Sequence, residues 1–397
     1  MKKKKVMLAF SGGLDTSFLV KYFIHEKDLE VHTAIVDTGG FSKEEAKKIE
    51  QHALRLGAKT HQTIDGTADF YHHIVKYLIF GNVLKNNTYP LSVSAERIYQ
   101  AKALAEYAKS IGAEYIAHGS TGAGNDQIRF DLVFQLLAPE LEILTPVRDL
   151  TFSREAEMAY LEKHGVKING EKARYSLNKG LWGTSIGGKE TLHSQEPLPE
   201  EAFPSPLTRT EPEKLTISFD KGEIAAVNGE KMAPVEAIQT IERKASAYAI
   251  GRDMHTGDTI IGIKGRIGFE AAAAAVIIKA HHVLEKHTLS KWQLYWKEQL
   301  ANWYGMFLHE AQYFEPVMRN IEHFLADTQQ TVTGEVSVML YPYRFEVQGI
   351  QSPHDLMDAG FGDYGEVNKA WSGEDVKGFV KILANPMKIY QKVNGKL

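Results

Sequence analysis

The sequence predicts an α/β protein: a doubly wound parallel sheet, then a second α+β domain and a C-terminal helix. Three observations carry this. The first 165 residues alternate short apolar runs with amphipathic stretches, the pattern of repeated strand–helix–strand units. From about Lys172 that alternation gives way to hairpin signals and longer helical patterns. At 397 residues the chain is also long enough for two separate cores.

The elements follow in order. Apolar runs at residues 6–10, 31–37, 60–65, 115–119 and 143–146 read as strands. Helical periodicity fills the gaps at 15–26, 42–56, 67–79 and 94–110. Ser42 with Glu45 spells a capping box that starts one of these helices. Residues 173–206 are rich in Gly, Ser and Pro and read as a binding loop. Apolar runs at 215–219 and 224–227 flank Asp220-Lys221-Gly222, a hairpin signal. Helices are expected at 237–250, 269–284 and from 290 to about 313, with a second hairpin across 332–347. Ser372 with Asp375 caps a last helix, which Pro386 interrupts and which is expected to dock on a neighbouring subunit.

Composition narrows the function. Hydrophobic residues make up 43% and charged residues 24%, ordinary for a globular enzyme, and the net charge of −4 argues against broad nucleic-acid binding. The apolar stretch after Lys2–Lys5 is too short for a signal peptide, and no segment reaches membrane-spanning length, so a cytoplasmic protein is expected. The absence of cysteine excludes disulfides, cysteine–zinc sites and thiol nucleophiles.

Two motifs carry chemistry. The first is Ala9-Phe10-Ser11-Gly12-Gly13-Leu14-Asp15-Thr16-Ser17. Without a Cβ at Gly12 and Gly13 the backbone can turn its N–H groups onto an anion, at the positive end of the following helix. Ser11, Thr16 and Ser17 offer hydroxyls, and Asp15 beside phosphates calls for an intervening cation. The loop reads as a nucleotide–magnesium site, or more blandly as a Gly-Gly turn. It is not a Walker loop, and a near match from Gly183 to Gly188-Lys189 fails at Glu190. The Ser-Gly-Gly-x-Asp-x-Ser pattern resembles the pyrophosphatase loop of ligases that cleave ATP between its α- and β-phosphates. With Thr38-Gly39-Gly40 and Ser120-Thr121-Gly122, three polar loops are expected on one rim. The second motif is His118-Gly-Ser-Thr-Gly-Ala-Gly-Asn125-Asp126-Gln-Ile-Arg129-Phe130, where Asn125 and Asp126 can cap a helix, Asp126 can accept an amine and Arg129 can pair with a carboxylate.

Together these residues, with Ala173-Arg174-Tyr175-Ser176, Ser185 and Ala226-Val227-Asn228-Gly229-Glu230, resemble the argininosuccinate synthase family over most of the chain. The resemblance implies that citrulline and aspartate are condensed with ATP and Mg2+, giving argininosuccinate, AMP and pyrophosphate in arginine biosynthesis. It implies a nucleotide-binding domain (1–167), a synthetase domain (168–368), a C-terminal oligomerisation helix (369–397) and a homotetramer. Ala9, Phe10, Ser11, Gly12, Gly13, Leu14, Asp15, Thr16, Ser17, Val36 and Gly119 would hold ATP. Thr121, Asn125 and Asp126 would hold aspartate, and Tyr89, Ser94, Asn125, Arg129, Ser176 and Ser185 the citrulline-like substrate. Asp15, Asn125, Asp126 and Arg129 would serve the reaction itself. Another ligase of the same loop type, or a non-catalytic nucleotide-binding paralogue, is the alternative.

The chain departs from the family at Ala123, where a lysine is usual, and in the stretch from Gly251 to Glu270. The family places a glutamate near Gly257–Asp258 and a tyrosine at Phe269, both on the amino-acid end of citrulline, and a Thr-Pro-Gly segment where alanines follow Glu270. Either Asp258 or water replaces the glutamate, or the substrate's α-nitrogen is acylated, for instance by an acetyl or succinyl group, and needs no carboxylate. The histidines, including His281-His282 and His309, read as surface residues; no metal-ligand spacing is found, since Tyr313 stands where His309-Glu310 needs a second histidine. Trp292, Trp296 and Trp303 read as core or subunit contacts.

Overall fold

In the computed structural model, which describes residues 3–122, 124–166, 174–358, 360 and 370–395, the opening apolar runs pair as parallel strands. These are β1 (Lys5–Ala9), β2 (Glu30–Asp37), β3 (Thr60–Asp65), β4 (Tyr115–Ala117) and β5 (Glu142–Leu144), in the order β3-β2-β1-β4-β5. Helices α1 (Leu14–His25), α2 (Lys43–Leu56), α3 (Thr67–Phe70), α4 (Lys76–Phe80), α5 (Ser92–Ser110), α6 (Asp126–Leu137), α7 (Pro146–Asp149) and α8 (Arg154–Lys163) connect and flank them. The stretch expected as one helix over 67–79 is divided by a π-helical turn, Tyr71–Val75. Alternation along β1 sends Val6, Leu8 and Phe10 into a core shared with Phe18, Phe23 and Leu161, and Met7 into the opposite one.

That opposite core runs on into the second half of the chain. There β6 (Ser176–Gly180), β7 (Gly183–Gly187), β11 (Arg252–Asp258) and β12 (Lys264–Glu270) form an antiparallel sheet ordered β11-β12-β7-β6. A second antiparallel sheet, β10-β9-β8-β13-β14, contains β8 (Glu213–Asp220), β9 (Glu223–Val227), β10 (Glu230–Lys231), β13 (Gly334–Tyr341) and β14 (Arg344–Gln351). Both expected hairpins are therefore present. Helices α9 (Pro234–Ser246), α10 (Ala272–Thr288), α11 (Lys291–His309) and α12 (Pro316–Thr328) complete this half.

The chain divides into two compact units, Met1–Pro353 and His354–Leu397. The second holds α13 (Gly373–Leu383), opened by the Ser372/Asp375 capping box, and α14 (Asn385–Asn394), with Pro386 in its first turn. The expected boundaries at 167/168 and 368/369, and Ala173, lie outside the described residues.

Four expectations are corrected. Phe269 lies on β12, not on a helix: an extended backbone pairs it with Ser185 of β7, and α10 starts only at Ala272. The 173–206 stretch contains the β6–β7 hairpin. His281 and His309 are buried, not superficial; His281 sits between the side-chain oxygens of Asn82 (2.7 Å) and Gln329 (2.9 Å), which supply the polar partners burial requires. Trp292, Trp296 and Trp303 are exposed, which removes the core reading and leaves that of subunit contacts standing.

Candidate active site

The first motif folds as the strand β1, a turn and the helix α1. Gly12 has φ +79°, a conformation that costs glycine little, and Gly13 caps α1 without any side-chain bond, so the helix presents unpaired N–H groups at its start. Ser11 and Thr16 hydroxyls lie 3.4 Å apart on this rim. The Ser17 hydroxyl does not reach it. It is buried, 2.7 Å from the Gly13 carbonyl and 2.9 Å from His52 Nε2, and braces the turn from behind. Phe10 likewise points into the core and can offer a ligand only backbone, as can the buried Val36.

The loop after β4 meets this one. A Cβ on Gly119 would lie 3.3 Å from Asp15 Cβ and 3.2 Å from Thr16 Cγ2. The two loops flank β1 and β4, where the sheet order reverses, the crevice in which open α/β sheets bind ligands. His118 holds its loop in place: Nδ1 accepts the Ser120 N–H (3.2 Å), so Nε2 carries the proton and donates it to Asp131 (2.8 Å). The third loop is different from expectation. Asp37 accepts the N–H groups of Gly39 (2.8 Å) and Gly40 (3.0 Å), and the Thr38 carbonyl accepts the N–H of Leu181 (2.9 Å). Its donors are already satisfied by the chain's own carboxylate.

Asn125 and Asp126 open α6 but do not cap it, a second difference from the sequence reading. Asn125 Oδ1 accepts the N–H of Ile260 (2.9 Å), and no side-chain cap bond is made. Asp126 accepts from Arg97 Nε (2.9 Å) and Arg129 Nη1 (3.1 Å). Burial raises its pKa, but the two guanidiniums outweigh that and hold it below the usual carboxylate range. Arg129, 4% exposed, also donates to Ser94 Oγ (2.9 Å) and the His309 carbonyl (3.0 Å). Thr121 is exposed near the start of this loop; Ala123 lies outside the described residues.

Ser94, Tyr89 and Ser185 enclose the far side. His309 Nε2 donates to the Asp258 carbonyl (3.2 Å), leaving Nδ1 to face Ser94 Oγ (3.2 Å). Burial and the charges of Arg129 and Lys85 push this imidazole down to about 3, so it is neutral. The buried Ser185 hydroxyl has no hydrogen-bond partner, an orphan that suits a polar ligand. Ser176, on the edge strand β6, is exposed and pairs with Gly187 of β7. The Tyr89 ring stacks on His255 (ring centroids 5.2 Å) and meets Phe269 at a tilt (5.3 Å). Asp258 does not supply the missing acid: its carboxylate is 66% exposed and paired with Lys264 at 2.7 Å.

Sequence reasoning missed several neighbours. Glu157 of α8 is 1% exposed with both oxygens unpartnered, and burial together with the Asp15 carboxylate pushes it up to about 8. In the sequence it reads only as a first-turn acid of a helix. Arg97 ties α5 to Asp126 and to Asn178 of β6 (2.7 Å). Lys85, His255 and His309 converge only through the fold, with no local spacing to announce them.

Comparison with known proteins agrees over the whole chain. Residues 5–167 match the family model described as arginosuccinate synthase N-terminal HUP domain, and residues 175–390 that of the arginosuccinate synthase C-terminal domain. The chain is 37% identical to an argininosuccinate synthase of Dictyoglomus thermophilum over 398 residues, covering 100% of this chain and 99% of the relative. It is 38% identical to that of Pyrococcus furiosus, covering 96% and 92%. With that of Methanocaldococcus jannaschii the identity is 34%, covering 97% of each.

Proposed function

Because this chain belongs to the argininosuccinate synthase family of carbon–nitrogen ligases, we propose that it joins a citrulline-type substrate to aspartate at the expense of ATP. The product is an argininosuccinate-type compound, with AMP and pyrophosphate released, as a step of arginine biosynthesis. The observation that carries this reading is the contact of the two motif loops at Asp15 and Gly119, on one rim of the sheet. Ala9 to Thr16, with Val36 and Gly119, hold the nucleotide there, and Ser17 braces Gly13. Thr121, Asn125 and Asp126 receive aspartate; Tyr89, Ser94, Asn125, Arg129, Ser176 and Ser185 receive the ureido substrate. The functional segments are 1–167, 168–368 and 369–397, in a cytoplasmic homotetramer. Among the described residues no helix is long and apolar enough to cross a membrane.

The chemistry is placement and charge neutralisation. The ureido oxygen attacks the α-phosphorus, the bond to the β-phosphate oxygen breaks and pyrophosphate leaves. The aspartate amine then attacks the activated ureido carbon, expelling AMP and losing a proton. Asp15 would offer a carboxylate oxygen to magnesium beside the phosphates, and bound magnesium would neutralise phosphate charge. Unpaired N–H groups at the start of α1 face the same charge. Asp126 orients the incoming amine between the Arg97 and Arg129 contacts, and Arg129 holds the ureido substrate from the Ser94 side.

The finer part of the proposal is that the α-nitrogen of the citrulline is acylated. The outward turn of Asp258 and the missing phenol at Phe269 take away the two groups that the family resemblance places at a free α-ammonium. The test is pyrophosphate release with ATP, magnesium and aspartate, adding citrulline, N-acetylcitrulline or N-succinylcitrulline in turn. Release mainly with an acylated form is expected. Release with plain citrulline alone removes the acyl reading, and silence with all three removes the ligase reading.

A further inference from the structure

The end of the candidate site to which the family resemblance assigns a glutamate is, in this chain, filled by the His255 imidazole, with the Lys85 ammonium near it. Resting on the acyl-citrulline reading above, we propose that the acyl group ends in a carboxylate, and that Lys85, with His255 beside it, receives that carboxylate. The substrate class is a dicarboxylic-acid monoamide of citrulline.

Lys85 stands on a tight turn. Lys85 and Tyr89 form a short antiparallel bridge, with the Lys85 N–H donating to the Tyr89 carbonyl (2.8 Å) and the Tyr89 N–H returning to Lys85 (3.1 Å). Asn86 and Asn87 make the reversal at φ +52° and +58°, a conformation asparagine tolerates. Lys85 is thereby locked beside a tyrosine proposed to touch the substrate. Its ammonium is half-buried, and among the described residues its one hydrogen-bond partner is the Met306 sulfur at 3.8 Å. A thioether is a weak acceptor and leaves the charge uncompensated.

The surroundings sharpen the contrast. Burial and Arg129 push Lys85 down, while Glu310 and Asp258 pull it up from a distance. Neither acid is an ion-pair partner: Glu310 is exposed and Asp258 is taken by Lys264. A returning glutamate has no room either. A Cβ at Gly257 would lie 2.6 Å from His255 Nε2 and 3.5 Å from Asn86 Nδ2, because the His255 ring lies nearly flat on Tyr89 and fills that space. An imidazole and an ammonium thus stand where a carboxylate side chain would point. Such a lining repels a free α-ammonium and attracts an anionic acyl tail, and a neutral acetyl group would leave Lys85 without its partner.

The experiment measures kcat/KM for pyrophosphate release with N-succinylcitrulline, N-acetylcitrulline and plain citrulline, for the full-length protein and its Lys85→Met and Lys85→Glu variants. The unmodified protein is expected to favour the succinyl form by roughly tenfold or more, the worth of one charge-assisted hydrogen bond. Lys85→Met should collapse that ratio toward one through KM, and Lys85→Glu should invert it. Equal use of the two acyl forms, or a ratio untouched in Lys85→Met, overturns the inference and leaves the acyl reading intact. Preference for plain citrulline overturns both. If neither variant folds, the ratio in the unmodified protein decides.

Discussion

Glu96 of α5 is a carboxyl with almost nothing to offset its burial. It is 1% exposed, Oε1 has no hydrogen-bond partner, and a Cβ on Gly180 would coincide with its carboxyl group. Burial pushes it up to about 8, against the pull of Arg97 and Thr38. In the unfolded chain it ionises near its ordinary 4.5, so the contribution to stability is full below that pH and lost as pH rises through 8. Glu96→Gln should therefore match the native protein near pH 5 and exceed it at pH 9, by on the order of a few kcal/mol. Urea unfolding at the two pH values reads the difference; parallel behaviour would mean that Glu96 ionises freely. None of this was legible in the sequence, where Glu96 is one polar residue in a helical run. The motif residues were legible because their neighbours along the chain are their neighbours in space, as with Asp15 and Thr16. Lys85, His255 and Glu157 acquire meaning only from partners brought in by other elements.

At the scale of elements, the sequence was most informative where a local bond fixes a boundary. Ser42 and Glu45 form the expected reciprocal bonds at the start of α2, the Ser42 hydroxyl accepting the Glu45 N–H (3.2 Å) and Glu45 accepting the Ser42 N–H (2.8 Å). Ser42→Ala should cost about 1 kcal/mol in thermal or urea unfolding, and an unchanged midpoint would show that tertiary packing alone holds the helix. The Lys221-Gly222 turn was equally legible: both residues take positive φ, +47° and +80°, as a two-residue hairpin demands. The β11–β12 hairpin was not. Arg252–Asp258 has no apolar alternation to mark it, and the ion pairs that join its ends to Lys264–Glu270, Arg252 with Glu270 and Asp258 with Lys264, appear only once the strands are paired. The alanine run after Glu270 then drew Phe269 into a helix that in fact begins at Ala272. That error mattered, because on β12 Phe269 faces Ser185 and Tyr89 together.

Across the whole molecule, the parallel sheet and the antiparallel sheet that flanks the site are tied by few but specific bonds. Leu181 donates its N–H to the Thr38 carbonyl, and Arg97 spans Asp126 and Asn178. One buried cluster runs from Met7 to Leu340. The consequence is cooperative: there is no thermodynamic seam between the half that carries the phosphate loop and the half that carries Ser185. Unfolding of Met1–Pro353 should be a single transition, and the Leu181 amide should exchange with deuterium only on global opening. Early exchange at Leu181 would instead reveal a separately opening hairpin. With such a weld, a destabilising mutation far out on β13 would lower the melting point of the phosphate loop as much as that of β13 itself, since loss of either half dissolves the other.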